Sequence, residues 1–283
     1  ESRMILTNQY GIPEVFVRAT QNDAYSMGDA DFSVTGLIQP PQIARLREKH
    51  ADDISMDVRD HIWKLLGTGV HNVLEKNSPG TAEKRFFATH HSGTKISGAV
   101  DLLEDDGSMT DYKVSSIYTT QRPLKPDWEA QLNMYAWLLR QNDLEATKLT
   151  IVVVCRDWAK SRAIKTDYPN SPVVPIPVPL WSPERQDRYV DDRVAIHTAE
   201  DTAPCTNEER WARGGYKAVP DKGRSKKFDS LSEAATWINR HKTGGFTVVN
   251  EQPKFIRCES WCEVSDFCPQ WRGGRSGREE SDG

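Results

Sequence analysis

The chain has 283 residues, of which 37% are hydrophobic, 28% charged and 9% aromatic, with a formal net charge of −4. That is enough apolar material for one large domain or two small ones, and it excludes wholesale disorder. Mean hydropathy is −0.65, and the apolar runs, such as the strand-length Ile151–Cys155, stay well below the roughly 18 residues of a membrane span, so no membrane association is expected. The acidic balance disfavours a protein that coats nucleic acid non-specifically but leaves room for an enzyme that grips DNA in one local groove. The opening Glu-Ser-Arg-Met-Ile-Leu lacks a basic region followed by an apolar block, so a secretory leader is not expected and the cytoplasm is the expected location.

Residues 1–55 read as a helical lead-in segment, in which Thr35 is expected to cap a short helix and Pro40-Pro41 interrupts it before Ile43–Lys49. From Met56 to Lys76, Ile62, Leu65, Leu66, Val70, Val73 and Leu74 recur at spacings of three and four, which predicts a helix. Three strands follow at Lys84–Thr89, Lys95–Leu103 and Met109–Ser115, the last two joined by the turn-forming residues Glu104–Ser108. Pro126-Asp127 opens a helix through Arg140 with Asp127 expected as its cap, and Leu149–Cys155 reads as a buried strand. The order helix, three strands, helix, strand predicts an α/β fold with a mixed sheet flanked by helices. Residues 169–183 carry six prolines and read as an extended connector; Ser182-Pro183-Glu184 then starts a helix to about Thr198. Residues 205–283 hold 14 Lys+Arg and 12 Asp+Glu, a net +2 that leaves −6 on the rest of the chain. They include a strand–helix–strand unit (Lys226–Phe228, Leu231–Arg240, Phe246–Val249) and then a cysteine cluster. The expected divisions are therefore 1–55, a core over 56–204, a cysteine unit over 205–271, and a disordered tail over 272–283.

The chemistry concentrates in Ser97-Gly98-Ala99-Val100-Asp101 and Asp111-Tyr112-Lys113. In a strand, residues two apart share a face, so Asp111 and Lys113 present a carboxylate and an ammonium side by side. A hairpin across Glu104–Ser108 brings Asp101 alongside. Two carboxylates beside a lysine suit Mg²⁺ or Mn²⁺, with the lysine placed to act on a water, which is equipment for phosphodiester hydrolysis. Alone, an Asp-x-Lys triplet is more often an ordinary surface ion pair. Gln131 and Tyr135, four apart on the next helix, share a face, as do His71 and Glu75 on the preceding one; a histidine turned to the carboxylates adds a nitrogen ligand.

Gly69-Val70-His71, Gly98-x-x-Asp101, Asp111-x-Lys113 and Gln131-x-x-x-Tyr135 occur in one order over about residues 56–158. Together they resemble the RecB-type branch of the PD-(D/E)XK nuclease superfamily, which includes AddB nuclease domains, CRISPR-associated nucleases and phage exonucleases. Pro40-Pro41, Arg156-Asp157-Trp158 and Cys205–Trp211 resemble tailed-phage versions in particular. The resemblance implies a restriction-endonuclease-like core. It implies a divalent metal held by His71, Asp101, Asp111 and the Tyr112 backbone carbonyl, with Lys113 acting on the attacking water or the transition state. Gln131 and Tyr135 are implied to orient the site and contact DNA, with Glu75 behind the ligands.

Cys258-x3-Cys262-x5-Cys268 is compact, and Cys205 supplies a possible fourth thiolate. Four thiolates suit Zn²⁺ or an iron–sulfur cluster, and spacing does not separate them. Several RecB-type nucleases carry a [4Fe–4S] cluster on three similarly spaced C-terminal cysteines and one that precedes the nuclease motifs. Here the first cysteine is Cys155, which reads as a core residue ending Ile151-Val152-Val153-Val154. The resemblance favours [4Fe–4S], with structural Zn²⁺ as the alternative.

For nucleic-acid contact the sequence offers the basic run Lys222–Lys227, Trp158 and Trp211 as stacking surfaces, and Arg272, Arg275 and Arg278 in the tail. The expectation is a metal-dependent DNA nuclease, an exonuclease of phage type acting on single strands or duplex ends. The alternatives are a DNA-end binding module and a subunit active only beside a helicase or recombinase. No Walker-type phosphate loop is present, so a motor of its own is not expected.

Overall fold

A computed structural model describes residues 5–22, 27–78, 80–241 and 245–273. Of the tail expected to be disordered over 272–283, Arg272 and Gly273 are helical, with the Arg272 N–H donating to the Cys268 carbonyl, and the rest, with Arg275 and Arg278, lies outside the described residues, as do the first four positions. The chain divides into two compact units. The larger comprises Leu6–Gln39 and Met56–Glu200; the smaller comprises Glu1–Ile5, Pro40–Ser55 and Asp201–Gly283.

In chain order the first half contains β1 (Ile5–Thr7), α1 (Glu14–Gln21), β2 (Phe32–Ser33), α2 (Val34–Ile38), α3 (Pro41–Lys49), β3 (Ser55–Asp57), α4 (Val58–Glu75), β4 (Thr81–Thr89), β5 (Lys95–Leu103) and β6 (Ser108–Ser115). There follow α5 (Pro126–Arg140), β7 (Lys148–Cys155), β8 (Val173–Val178), α6 (Pro183–Thr198), β9 (Ala212–Arg213), β10 (Tyr216–Pro220), β11 (Lys226–Phe228), α7 (Leu231–Arg240), β12 (Phe246–Asn250), β13 (Lys254–Phe255) and α8 (Ile256–Ser260).

The larger unit is built on a six-stranded mixed sheet ordered β2-β5-β6-β7-β8, with β4 also paired to β5. This is the α/β architecture expected from the element order. Leu149, Ile151, Val153 and Cys155 of β7 alternate inward, and every residue of α5 from Ala130 to Leu139 is buried. Burial of side chains such as Leu132, Leu138 and Leu139 contributes about 1.5–3 kcal/mol each. The one amide fully enclosed in this helix, Asn133, is satisfied: its Nδ2 donates to the Glu129 and Pro179 carbonyls, and its Oδ1 accepts from the Trp181 N–H. Gly98 of β5 permits this packing, since a Cβ there would lie 2.7 Å from the Tyr135 ring and 2.9 Å from Leu138.

Three local expectations are corrected. The proline-rich stretch is no mere connector: Val173–Val178 forms β8, antiparallel to β7. Pro175 and Pro177 occupy alternate positions, so their missing N–H groups fall on the outer edge while Val174, Ile176 and Val178 face the core side. Ser33, not Thr35, caps α2, accepting from the Gly36 N–H. Asp127 lies inside the first turn of α5, whose cap position is Lys125 with no side-chain cap.

The smaller unit has an antiparallel sheet β11-β10-β12, with α7 packed on it through Trp237, which meets Phe228 and Phe246. The anticipated strand–helix–strand thus gains a third strand, β10. Around the cysteines sit two small apolar clusters, Ile43, Ile54 and Val264, and Phe255, Cys268 and Trp271.

Candidate active site and cysteine centre

The site lies where the central sheet forks. β5 pairs with β6 only at Leu102↔Thr110 and Leu103↔Met109, whereas β6 pairs with β7 along its whole length. Beyond Leu102 the two strands separate, and β2 takes the vacated edge of β5 at Ile96 and Ser97. Separation frees the Tyr112 N–H, which donates to Asp101 Oδ2 at 2.7 Å. Asp101 and Asp111 therefore stand on the two arms of the fork, brought close by the tight hairpin, with Asp101 lining the cleft and Asp111 buried behind it.

His71, from the last part of α4, places Nδ1 3.4 Å from Asp101 Oδ2 and 3.5 Å from Glu83 Oε1. His71, Glu83 and Asp101 each offer a ligand atom, all within 4.8 Å of one another. Glu83 was not among the residues anticipated from sequence. It has a φ of +50°, and the β4–β5 register passes from Ala82↔Leu102 to Lys84↔Val100 around it. That kink turns its carboxylate to the site, and only the β4–β5 register, which places it opposite Asp101, could have signalled it.

Asp111 is 2% exposed. Its Oδ1 accepts from Gln131 Nε2 at 3.2 Å, and Gln131 in turn donates to Tyr135 Oη at 3.0 Å. Its Oδ2 has Lys113 Nζ at 2.7 Å, in contact as an ion pair but not aligned as a hydrogen bond. Burial, first, and the neighbouring Asp111 charge, second, push the Asp101 carboxyl up to about 7, against the lowering effects of His71, the Tyr112 N–H and Lys113. The contact with Glu83 raises His71 above its ordinary value. The Asp101 carboxyl, which resists ionisation, the carboxylates packed near it and the His71 imidazole form an oxygen-rich donor set that fits a divalent cation. Glu75, Lys64, Arg85 and Tyr135 line the same open cleft of about 580 Å³, so Glu75 faces the cavity without joining the His71–Glu83–Asp101 group.

A profile of the PD-(D/E)XK nuclease superfamily matches residues 42–269. The chain belongs to the PD-(D/E)XK nuclease superfamily. No curated protein matches it. Among solved structures, one described as the crystal structure of SSO0001 aligns with a TM-score of 0.47 at 17% identity, over 70% of this chain and 89% of that one. Members of this superfamily work with Mg²⁺ or Mn²⁺, and the acidic group at the fork fits such an ion. No described helix of this nuclease-superfamily chain is long and apolar enough to cross a membrane.

In the smaller unit, Cys205, Cys258, Cys262 and Cys268 line one enclosed cavity with Gln42 of α3. Gln42 Oε1 accepts from the Cys205 N–H at 2.9 Å, and its Nε2 lies 3.5 Å from Cys268 Sγ. Burial, first, and the nearby Glu209 charge push the Cys205 thiol up to about 12; burial also raises Cys262. Four thiols lining one cavity, with Cys205 and Cys262 held protonated by enclosure, fit a thiophilic metal that displaces such protons. Cys155 stands apart, buried in the core of the larger unit.

Of the anticipated nucleic-acid contacts, Trp158 is half-buried and donates Nε1 to the Pro169 carbonyl. Lys227 pairs with Glu251, and Lys226 lies over Phe228 and Trp237. Trp211 is exposed with Arg257 above its ring. Sequence reasoning passed over Trp63 of α4, 53% exposed with the Arg156 guanidinium 4.4 Å from its ring.

Proposed function

We propose that the protein is a divalent-metal-dependent deoxyribonuclease, an exonuclease of the RecB-type branch and of phage type, working in the cytoplasm of a bacterial host. The observation that carries this reading is the meeting of Asp101, Asp111 and Lys113 at the sheet fork with His71 turned onto them. A protein kept only for gripping DNA ends has no use for that complete set.

His71, Asp101 and Asp111, with the Tyr112 carbonyl and with Glu83 as an added oxygen donor, would hold the ion. When bound, Mg²⁺ or Mn²⁺ supplies Lewis-acid polarisation of the scissile phosphate. Lys113 holds its ammonium beside Asp111, where it stabilises charge that grows on the phosphoryl oxygens and orients the attacking water. Gln131 fixes Asp111 through Oδ1, and Tyr135 fixes Gln131, so one face of the buried α5 sets the carboxylate's angle. Gln131 and Tyr135 are nearly enclosed, which suits orienting better than a broad DNA contact. The exposed Trp63–Arg156 pair offers a base a stacking surface.

The four cysteines would hold a [4Fe–4S] cluster. Supporting this reading, Cys258-x3-Cys262-x5-Cys268 has a spacing much like that of the C-terminal cysteines of RecB-type nucleases that carry such a cluster, with structural Zn²⁺ as the alternative. Visible absorption and iron analysis of protein purified without oxygen separate the two.

The deciding assay incubates the full chain with end-labelled single- and double-stranded DNA and Mg²⁺ or Mn²⁺, beside Asp111→Ala. Metal-dependent loss of label from the ends, absent in the variant, is expected, and the label pattern gives polarity. Intact DNA under every condition, with tight binding to ends, would replace this reading by the end-binding module; cleavage appearing only with a helicase or recombinase would replace it by the dependent subunit.

A further inference from the structure

A second cluster of metal-binding side chains lies in the larger unit, away from the fork. β4 and β5 are joined by a tight loop in which the His90 N–H donates to the Thr94 carbonyl and the Gly93 N–H to the His90 carbonyl. Gly93 has a φ of +89°, which an L side chain rarely adopts, so the loop holds its shape through that glycine. The loop places His90 and His91 against Asp191 of α6. Helix α6 is itself fixed by the buried Val190 and Val194 on either side of that turn. His90 Nε2 is 2.7 Å from Asp191 Oδ1, His91 Nδ1 is 3.5 Å from the same oxygen, and the two imidazole rings lie 3.9 Å apart. All three ligand atoms lie within 4.8 Å of one another.

We propose that His90, His91 and Asp191 form a binding site for a borderline divalent metal of the Zn²⁺, Co²⁺ or Ni²⁺ kind, separate from the nuclease centre. Three arguments support the metal class and the ligand set. Two imidazoles and one carboxylate are the ligands such ions take, whereas Mg²⁺ prefers oxygen alone. Metal–ligand bonds of about 2.0–2.2 Å place neighbouring ligand atoms roughly 3–3.5 Å apart, and of the observed 2.7 and 3.5 Å the first lies just below that range and the second at its upper end. The ring nitrogen of His90 that faces away from Asp191 is also provided for. Its Nδ1 is 2.8 Å from Ser92 Oγ, which is 3.0 Å from Thr94 Oγ1. The Ser92 backbone N–H also donates to Nδ1, at 3.3 Å; when Nε2 binds metal the proton sits on Nδ1, that longer contact is given up, and Ser92 Oγ accepts the Nδ1–H hydrogen bond while donating its own to Thr94 Oγ1. That is the support a metal-binding histidine ordinarily has behind it.

The site is open on one side. His90 is 6% exposed and His91 74%, so the ion would sit at the surface with a position left for water. It would clamp the β4–β5 loop to α6. It is also remote from the fork, because β5 rises about 20 Å between Lys95, next to the loop, and Asp101. Loading this site should therefore act on stability and leave Mg²⁺-dependent cleavage unchanged.

The test titrates Co²⁺ into the full chain with its cysteine metal left in place, comparing the unaltered protein with His91→Ala and Asp191→Asn. The exposed His91 can be removed without disturbing the core, and asparagine keeps an acceptor for His90. The unaltered protein should take up one more equivalent of Co²⁺ than His91→Ala. Its visible bands should lack the near-ultraviolet thiolate charge transfer that a cysteine site gives. Saturating Zn²⁺ should raise its melting temperature further than that of His91→Ala, which keeps only the fork site, and Asp191→Asn should bind at least tenfold more weakly. Equal stoichiometry and affinity in all three proteins would overturn the proposal. So would a lower melting temperature for Asp191→Asn with Co²⁺ binding unchanged, since His90–Asp191 would then be a hydrogen bond only.

Discussion

The two units hold themselves together by different means. The larger unit encloses 22 residues in one continuous apolar cluster, running from α2 through the sheet and α5 to α6. The smaller unit has two clusters of three around its cysteines, and one of those six is itself a cysteine. Apolar burial alone can support the first; the second has too little of it for its size and gathers polar and thiol groups round a cavity instead. The comparison teaches where a metal matters. At the fork a bound cation would relieve crowded carboxylates in a scaffold that has its own core. At the cysteines a bound metal would replace the missing core.

The largest expected effect breaks that comparison directly. Replacing Cys262 by serine, or stripping the cysteine metal, should unfold the smaller unit while the larger stays native, because structural metals of this kind contribute about 10 kcal/mol or more of folding free energy. Limited proteolysis followed by mass spectrometry is the check. Cuts should concentrate in 40–55 and 201–273, leaving 56–200 protected. An unchanged digestion pattern would show that the small clusters suffice on their own.

A smaller effect sharpens the other side. Lys113→Met should lower the cleavage rate by about 10²–10³, the usual cost of losing one preorganised charge at a transition state, with little change in melting temperature because the ammonium is partly exposed. Glu83→Gln should instead weaken Mn²⁺ binding by roughly tenfold while sparing the rate at saturating metal. Quench-flow rates and calorimetric titration distinguish the two; a matching pattern in both variants would mean that Glu83 does not serve the ion.

Much of this was legible in the sequence, for physical reasons that differ by element. The β7 and α4 patterns follow from side-chain periodicity, and the spacing of Asp111 and Lys113 follows from the two-residue repeat of a strand. Asp101 could be placed because a five-residue turn between two strands leaves little choice of partner. β8 was concealed by its own prolines, whose positions make sense only once the neighbouring strand is known to lie on one side of it. Glu83 depends on a single left-handed residue in an otherwise regular strand. Gln42 reaches the cysteine cavity from 163 positions before Cys205, a separation at which no local pattern carries information. Local chemistry can be read along the chain, while closure of a site by distant segments cannot.

The smallest predicted effect uses one change in both units. Ser182 caps α6 in the larger unit by accepting from the Arg185 N–H, and Ser230 caps α7 in the smaller by accepting from the Glu233 N–H. Alanine at either position should cost about 1 kcal/mol. In the larger unit that cost should appear as a melting temperature lower by about 2–4 °C whether or not the cysteine metal is present. If the smaller unit folds on its metal, folding and metal binding there are one equilibrium, and the same loss should appear as metal held roughly fivefold more weakly by Ser230→Ala. Competition with a chelator reads the second effect and thermal unfolding of the larger unit the first. If Ser230→Ala lowers a melting transition in the metal-free protein instead, the smaller unit folds without its metal and the contrast between the two units fails.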